Sequence, residues 1–382
     1  DFFAPVHPQI VVHLAGLDHL ELGGVPKRIV RLRGLEPVGE PRPVLSELLA
    51  STGDETAGDG SAVFHLSPSG DILFRRGQDL TQEGYLGLVD FEGHITPFEA
   101  PRAPYFYPRA SPDGGTLAVT AVRNGRNEVW LYDLADGSSS RLMSSDDMSR
   151  WGLWSPDGEF FYFSRGGGAN RAMYRIFVPG GGQPEVAMGD TTTFNPHEIS
   201  RDGRWLMIAR FNTGTSWDIL RCDLEAHPGF PLDPADFAPV VATQAQDGEP
   251  RLSPDGRWLA FDSYESGILE VYLCDFTNPG RRWMISDGGG QSPRWDDDGK
   301  RIYYLLGETV MAVDIHTGQG GVRPSNPVTM FSAPINLLGD ISTYDKIPGR
   351  DAFVMVLKPD QDDDTWPGDV VLLRNWRATW GD

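Results

Sequence analysis

A short phrase built on Ser-Pro-Asp-Gly recurs along this chain, and a chain that repeats one supersecondary unit folds as an array of that unit. The copies read "LSPSGDILFRR" from Leu66, "ASPDGGTLAVT" from Ala110, "WSPDGEFFYFS" from Trp154, "ISRDGRWLMIA" from Ile199, "LSPDGRWLAFD" from Leu252 and "WDDDGKRIYYL" from Trp295, with a degenerate seventh, "KIPGRDAFVMV", from Lys346. Counted at the Ser position they start at Ser67, Ser111, Ser155, Ser200, Ser253, Asp296 and Ile347, so the gaps are 44, 44, 45, 53, 43 and 51 residues. The longer gaps have local causes: Pro/Gly-rich insertions at Glu225–Phe237 and His316–Pro327, which read as surface loops.

Every copy has one anatomy. A short strand leads into the Ser-Pro-Asp-Gly turn, where Pro presets φ, Asp accepts from nearby backbone and Gly supplies positive φ. A second strand follows, then a third ending in Asp, as at Asp90, Asp133, Asp223, Asp275 and Asp314, and a weaker fourth. Four strands in about 40–45 residues is the spacing of a propeller blade. The expected fold is therefore all-β, a seven-bladed β-propeller of four-stranded blades, with six or eight blades as the alternatives. The last unit offers three clear strands, "STYDK", "DAFVMVL" and "DVVLLRNW". Its fourth is expected from an N-terminal strand, Lys27–Leu35 or Pro41–Leu49, because ring closure removes an exposed sheet edge. The expected organisation is an N-terminal extension over 1–60, the propeller over 61–376 and a tail over 377–382. Glycine and proline, 45 and 30 in 382 residues, suit such a turn-rich fold.

The stretches "YPRASPDGGTLAVTAVRNGRNEVWLYDLADG" and "PRLSPDGRWLAFDSYESGILEVYLCDF" resemble the TolB-type, WD-like β-propeller repeats of bacteria. The closing "DVVLLRNW" is similar to the end of propellers attached to bacterial Ser/Thr kinases, although the kinase signatures themselves are absent from this sequence. The resemblance spans roughly Ser61–Trp376 and is specific for fold. For function it implies a binding module, since propellers of this kind serve diverse partners. The seventh copy departs most, because "IPGR" at Ile347–Arg350 lacks the turn Asp.

Composition narrows the partners. A net charge of −21 opposes phosphate polymers and anionic lipid, leaving protein partners. No apolar run approaches the ~20 residues of a membrane span. Asp1 stands where a Met would, which fits a removed leader or an excerpt. A periplasmic or extracytoplasmic location, membrane-associated through partners, goes with the resemblance; the cytoplasm stays open. Two cysteines, Cys222 and Cys274, occupy equivalent third-strand positions of neighbouring units, too far apart for a disulfide, and are expected as free buried thiols.

Aligned two residues before the Ser, the copies carry His65, Arg109, Leu153, Glu198, Arg251, Arg294 and Asp345; one residue before, they carry Leu66, Ala110, Trp154, Ile199, Leu252, Trp295 and Lys346. Strand alternation sends the two columns to opposite faces. The second column is expected to pack between blades. The first would gather charge at the central channel. One reading is a channel mouth for a peptide terminus, an anion or an ion, since Arg forks fit carboxylates and phosphates. The other is ion pairing between blades, the usual fate of charges near a core. His197 falls in the packing column.

No catalytic residue is assigned, because no Gly-x-Ser-x-Gly elbow or His-Glu-x-x-His helix occurs. A channel-site lyase or hydrolase using His65, His197 and Glu198, with or without a divalent metal, is the alternative to a binding module. No cofactor is assigned either; calcium in the channel, held by Glu198 and Asp345, is the one ion reading left open. In the tail "LLRNWRATWGD", Arg374, Trp376, Arg377 and Trp380 are residue types of binding hot spots and form a candidate docking element, or else cover the closing seam.

Overall fold

A computed structural model describes residues 83–359, apart from 148, 167–170, 190–191, 319–320 and 338–341, and the backbone of the strands Ile10–His13, Lys27–Arg33, Glu36–Leu45, Phe64–Leu66, Ile72–Arg75 and Val370–Leu373. The chain divides into two compact units, one of residues 82–360 and one of residues 1–81 with 361–382.

The first of these units is a β-propeller of six blades, not seven. Blade 1 is Tyr105–Ala110, Thr116–Arg123, Arg126–Asp133 and Ser139–Ser145. Blade 2 is Ser149–Trp154, Phe160–Arg165, Ala172–Phe177 and Glu185–Gly189. Blade 3 is Phe194–Ile199, Trp205–Asn212, Ser216–Asp223 and Ala238–Val241. Blade 4 is Asp247–Leu252, Trp258–Ser263, Glu270–Asp275 and Arg282–Met284. Blade 5 is Gln291–Trp295, Arg301–Leu306, Thr309–Gly318 and Val328–Ser332. Blade 6 is assembled from both ends of the unit: Tyr344–Lys346 and Ala352–Leu357 inside, Tyr85–Asp90 and Ile95–Pro97 outside.

Blade 6 corrects the blade count and the closing strand together. The first motif copy is divided: Phe64–Leu66 and Ile72–Arg75 pair with each other and with Val370–Leu373 in a three-stranded sheet of the other unit. Its third and fourth strands complete the degenerate seventh copy, with Ala352 opposite Asp90 and Leu357 opposite Tyr85. Two half-blades make one blade, so seven motifs give six blades. The ring is closed from its N-terminal side, but by Tyr85–Pro97 rather than by Lys27–Leu35 or Pro41–Leu49; Lys27–Arg33 and Glu36–Leu45 instead pair in a sheet with Ile10–His13. The strand Val370–Leu373, expected as the third strand of the seventh copy, pairs instead with Ile72–Arg75 of the first copy. The unit carrying the blades is accordingly narrower than the expected span 61–376. The innermost strands of successive blades touch all round, blade 6 to blade 1 included.

The turns repeat their chemistry. In blade 1, Ser111 Oγ donates to Asp113 Oδ1 (2.6 Å) and accepts from Thr116 N, while Asp113 accepts from Gly115 N and Gly114 sits at φ 68°. Ser155–Asp157, Ser200–Asp202 and Ser253–Asp255 make the same bond. Backbone and hydroxyl donors hold the carboxyls of Asp113, Asp157 and Asp202 below the usual range, with the Ser hydroxyl the largest cause in each. The Asp closing the third strand caps the next turn, as Asp133 does for Ala135 N and Asp275 for Thr277 N.

Between blades lie apolar clusters. Leu153, Tyr162 and Met173 of blade 2 meet Phe194, Leu206 and Ile208 of blade 3 in one of them. In the expected packing column, Trp154 lies against Ala118 and Phe161 and donates its indole N–H to Arg109 O (3.1 Å), and Trp295 donates likewise to Arg251 O (3.0 Å). Cys222 and Cys274 are free and buried, as expected, and burial pushes their thiols up to about 11 and about 12. The insertion before the fourth strand of blade 3 reaches over to blade 2, where Leu232 bridges Met188. The stretch His316–Pro327, expected as a loop, contains a hairpin pairing His316 with Arg323.

Candidate functional site

Innermost strands are edge strands, so a proline can stand in them and a bulge can re-aim them. Five of these strands carry a register shift, between Phe106 and Arg109, Arg150 and Leu153, Pro196 and Glu198, Gly248 and Arg251, and Gln291 and Arg294. Four bulges place a non-glycine residue at positive φ: Tyr107 (51°), Trp151 (57°), Glu249 (45°) and Ser292 (56°). In blade 3 the inserted residue is His197. Simple alternation fails at each bulge.

The bulges bring together Arg109, His197, Glu198, Glu249, Arg251, Arg294, Ser342 and Asp345. Arg251 Nη2 meets Glu249 Oε2 at 3.1 Å, and its Nη1 donates to His197 O (3.0 Å). Arg294 reaches Asp345 Oδ1 (2.7 Å), Glu249 Oε2 (3.4 Å) and Ser342 Oγ (2.6 Å). Each of the three arginines follows a proline and donates Nη1 to its carbonyl, Arg109 to Pro108, Arg251 to Pro250 and Arg294 to Pro293. Glu198 accepts from Leu252 N (2.8 Å) and Asp345 from Ala110 N (3.1 Å), joining blade 3 to 4 and blade 6 to 1. Arg251 of blade 4 is among the charges that lower the Arg109 guanidinium of blade 1. Those blades are opposite in a six-blade ring, so this effect crosses the channel.

Burial sets the charge states. It pushes the Glu198 carboxyl up to about 7 against the pull of Arg251. It also opposes the charge on Glu249, but Arg251, His197 and Arg294 outweigh it and hold that carboxyl at about 2. It pushes His197 down to about 3, so the imidazole is neutral and its 3.7 Å contact with Glu249 is no ion pair near pH 7. Burial, then Arg294 and Arg251, lower Arg109 to about 9.

Of the charged column, Arg109, Glu198, Arg251, Arg294 and Asp345 are gathered at the channel, where Arg251 and Arg294 are ion-paired. Glu249 is the residue that alternation missed, and it holds two of the arginines. The recurring Pro-Arg pairs at 108–109, 250–251 and 293–294 were the signal that could have marked the bulges. His197, expected as packing, is buried against Trp151 (ring centroids 5.0 Å apart) and also faces the charge cluster. His65 belongs to a strand outside the six blades, and its side chain lies outside the described residues, as do Arg374, Trp376, Arg377 and Trp380. In the acidic tip "WDDDGK", Asp297 accepts from Lys346 Nζ (3.2 Å) and Gly349 N (2.8 Å), tying blade 5 to blade 6. Among the described residues, the one cluster of ligand-type side chains is the solvent-facing Asp90–Glu92–His94.

Fold and channel define the class: a six-bladed β-propeller whose channel is crossed by an ion-paired network. The expected likeness to TolB-type propellers is borne out at the level of fold. A protein described as TolB from Agrobacterium tumefaciens superposes with a TM-score of 0.53 at 18% identity, covering 72% of this chain and 99% of that one. TolB from Acinetobacter baumannii gives 0.50 at 16% identity, covering 70% and 81%. An uncharacterized protein of Agrobacterium fabrum is 25% identical over 210 residues, 51% of this chain and 67% of that protein. No protein-family model matches the sequence.

Proposed function

We propose that the chain is a non-enzymatic protein-binding scaffold, a TolB-like propeller acting as an accessory or sensor subunit of an envelope or membrane-associated assembly. The observation that carries this reading is the use of the channel groups. Glu198, Glu249, Arg251, Arg294 and Asp345 are bonded to neighbouring strands and blades, and acid–base chemistry needs such groups free to meet a substrate. A frame tied at its centre presents fixed outer loops, which suits binding without large rearrangement. The TolB-type fold supports the same reading by analogy. A periplasmic or other extracytoplasmic location goes with it; no described helix is long and apolar enough to cross a membrane.

Affinity capture with the full chain from an envelope extract, combined with elemental analysis and thermal shift with and without EDTA, tests this. A stoichiometric protein partner, with no metal and no EDTA effect, is expected. A bound divalent metal whose removal abolishes turnover of a small substrate would replace the scaffold with the channel-site lyase or hydrolase.

A further inference from the structure

Arg109 differs from the other two channel arginines. Arg251 and Arg294 each contact carboxylates, whereas Arg109 has no carboxylate within ion-pair distance among the described residues. Its Nη1 donates to Pro108 O (3.0 Å) and Ser342 Oγ (3.3 Å), and its Nε is buried without a partner. The residue is 6% exposed. A guanidinium taken from water and left without an anion is costly, and the usual remedy is a counter-charge.

The surroundings are built for one. Two further buried polar atoms without partners stand beside Arg109 in the ring order: Trp151 Nε1 on the innermost strand of blade 2, and Thr343 Oγ1 immediately before that of blade 6. Contacts join the three blades here. The Tyr107 and Trp151 rings are 4.7 Å apart, and Tyr107 N donates to Ser342 O (3.1 Å). The channel holds three guanidiniums, and the two carboxylates Glu249 and Asp345 pair only with Arg251 and Arg294, so the charge of Arg109 is in excess. Glu198, pushed up to about 7, is only half ionised at neutral pH and makes up only part of the difference.

We propose that the sector of the channel formed by blades 6, 1 and 2 binds a carboxylate, held by the Nε edge of Arg109 with the Trp151 indole N–H and the Thr343 hydroxyl as further donors. A carboxylate matches the planar guanidinium fork with two parallel bonds, which a halide cannot do. A phosphate dianion would exceed the single spare charge and meet Glu249. The carboxylate can be that of a free small acid or of a peptide C-terminus; both present the same group. This site goes beyond the scaffold reading and does not depend on it.

Calorimetric titration of the full chain tests it, with sodium acetate and propionate against sodium chloride at equal ionic strength, and with a tripeptide acid against its amide. Saturable carboxylate binding above the chloride baseline is expected. Arg109→Met is expected to weaken it roughly 10- to 100-fold, and Thr343→Val about 3- to 10-fold. Should Arg109→Met fail to fold, Arg109→Lys keeps the charge, loses the fork and is expected to weaken acetate in the same direction. Binding of the peptide acid but not the amide assigns a chain terminus; binding of acetate with neither peptide assigns a free acid. Acetate no better than chloride, or affinity unchanged in Arg109→Lys and Thr343→Val, overturns the site. A protein partner retained under either result leaves the scaffold reading untouched.

Discussion

Glu198 and His197 are adjacent in sequence, His197 buried and Glu198 partly buried, and they are shifted in opposite senses. Glu198 titrates near 7 in the fold against a usual 4.5, so its protonated form adds stability that is full below pH 4.5 and lost as pH rises to about 7. His197 titrates near 3 against 6.5, so its contribution is full above pH 6.5 and lost as pH falls toward 3. The two slopes oppose each other between pH 4.5 and 6.5. Glu198→Gln keeps an acceptor for Leu252 N and removes one slope. Relative to the parent, the variant's stability should climb by about 1 kcal/mol per pH unit from 4.5 to 7 in urea titrations, and a flat difference would sink the assigned shift. At this scale the charged column was legible, because Arg, Glu and Asp recur in register two residues before the turn. Glu249 was not, because its role depends on a bulge, and a period-2 reading assigns faces only while the strand stays regular.

The turn is the most legible element. Ser, Asp and Gly at fixed offsets each have one job in it, and four blades repeat the Ser-to-Asp bond. The tips nevertheless differ in what surrounds them, which no motif shows. Gly114 and Gly203 are equivalent, at φ 68° and 78°. A Cβ at Gly114 would lie 2.3 Å from Pro348 O in the turn of blade 6, whereas at Gly203 nothing lies within 4 Å. Gly203→Ala should therefore cost only the left-handed strain, about 1 kcal/mol. Gly114→Ala should cost at least about twice that, because a backbone carbonyl must also move. Denaturant midpoints of the two variants check the order; equal costs would mean that the blade 1 and blade 6 tips are not in contact.

For the whole molecule, the repeat count specified a propeller and the spacing specified blades, but blade number does not follow from motif number when a ring closes through half-blades. Local sequence could not reveal that Tyr85–Asp90 pairs with Ala352–Leu357, since the partners are separated by almost the whole unit. The same closure hides the strand edges at both ends of the array, and the channel network then ties its centre. The direct measurement is thermal unfolding of two shortened chains, residues 82–360 and residues 98–360. A six-blade ring closed by Tyr85–Pro97 predicts one cooperative transition for the first, and for the second aggregation or loss of that transition, because the edge of Ala352–Leu357 is laid bare. Cooperative unfolding of both chains at the same temperature would contradict it.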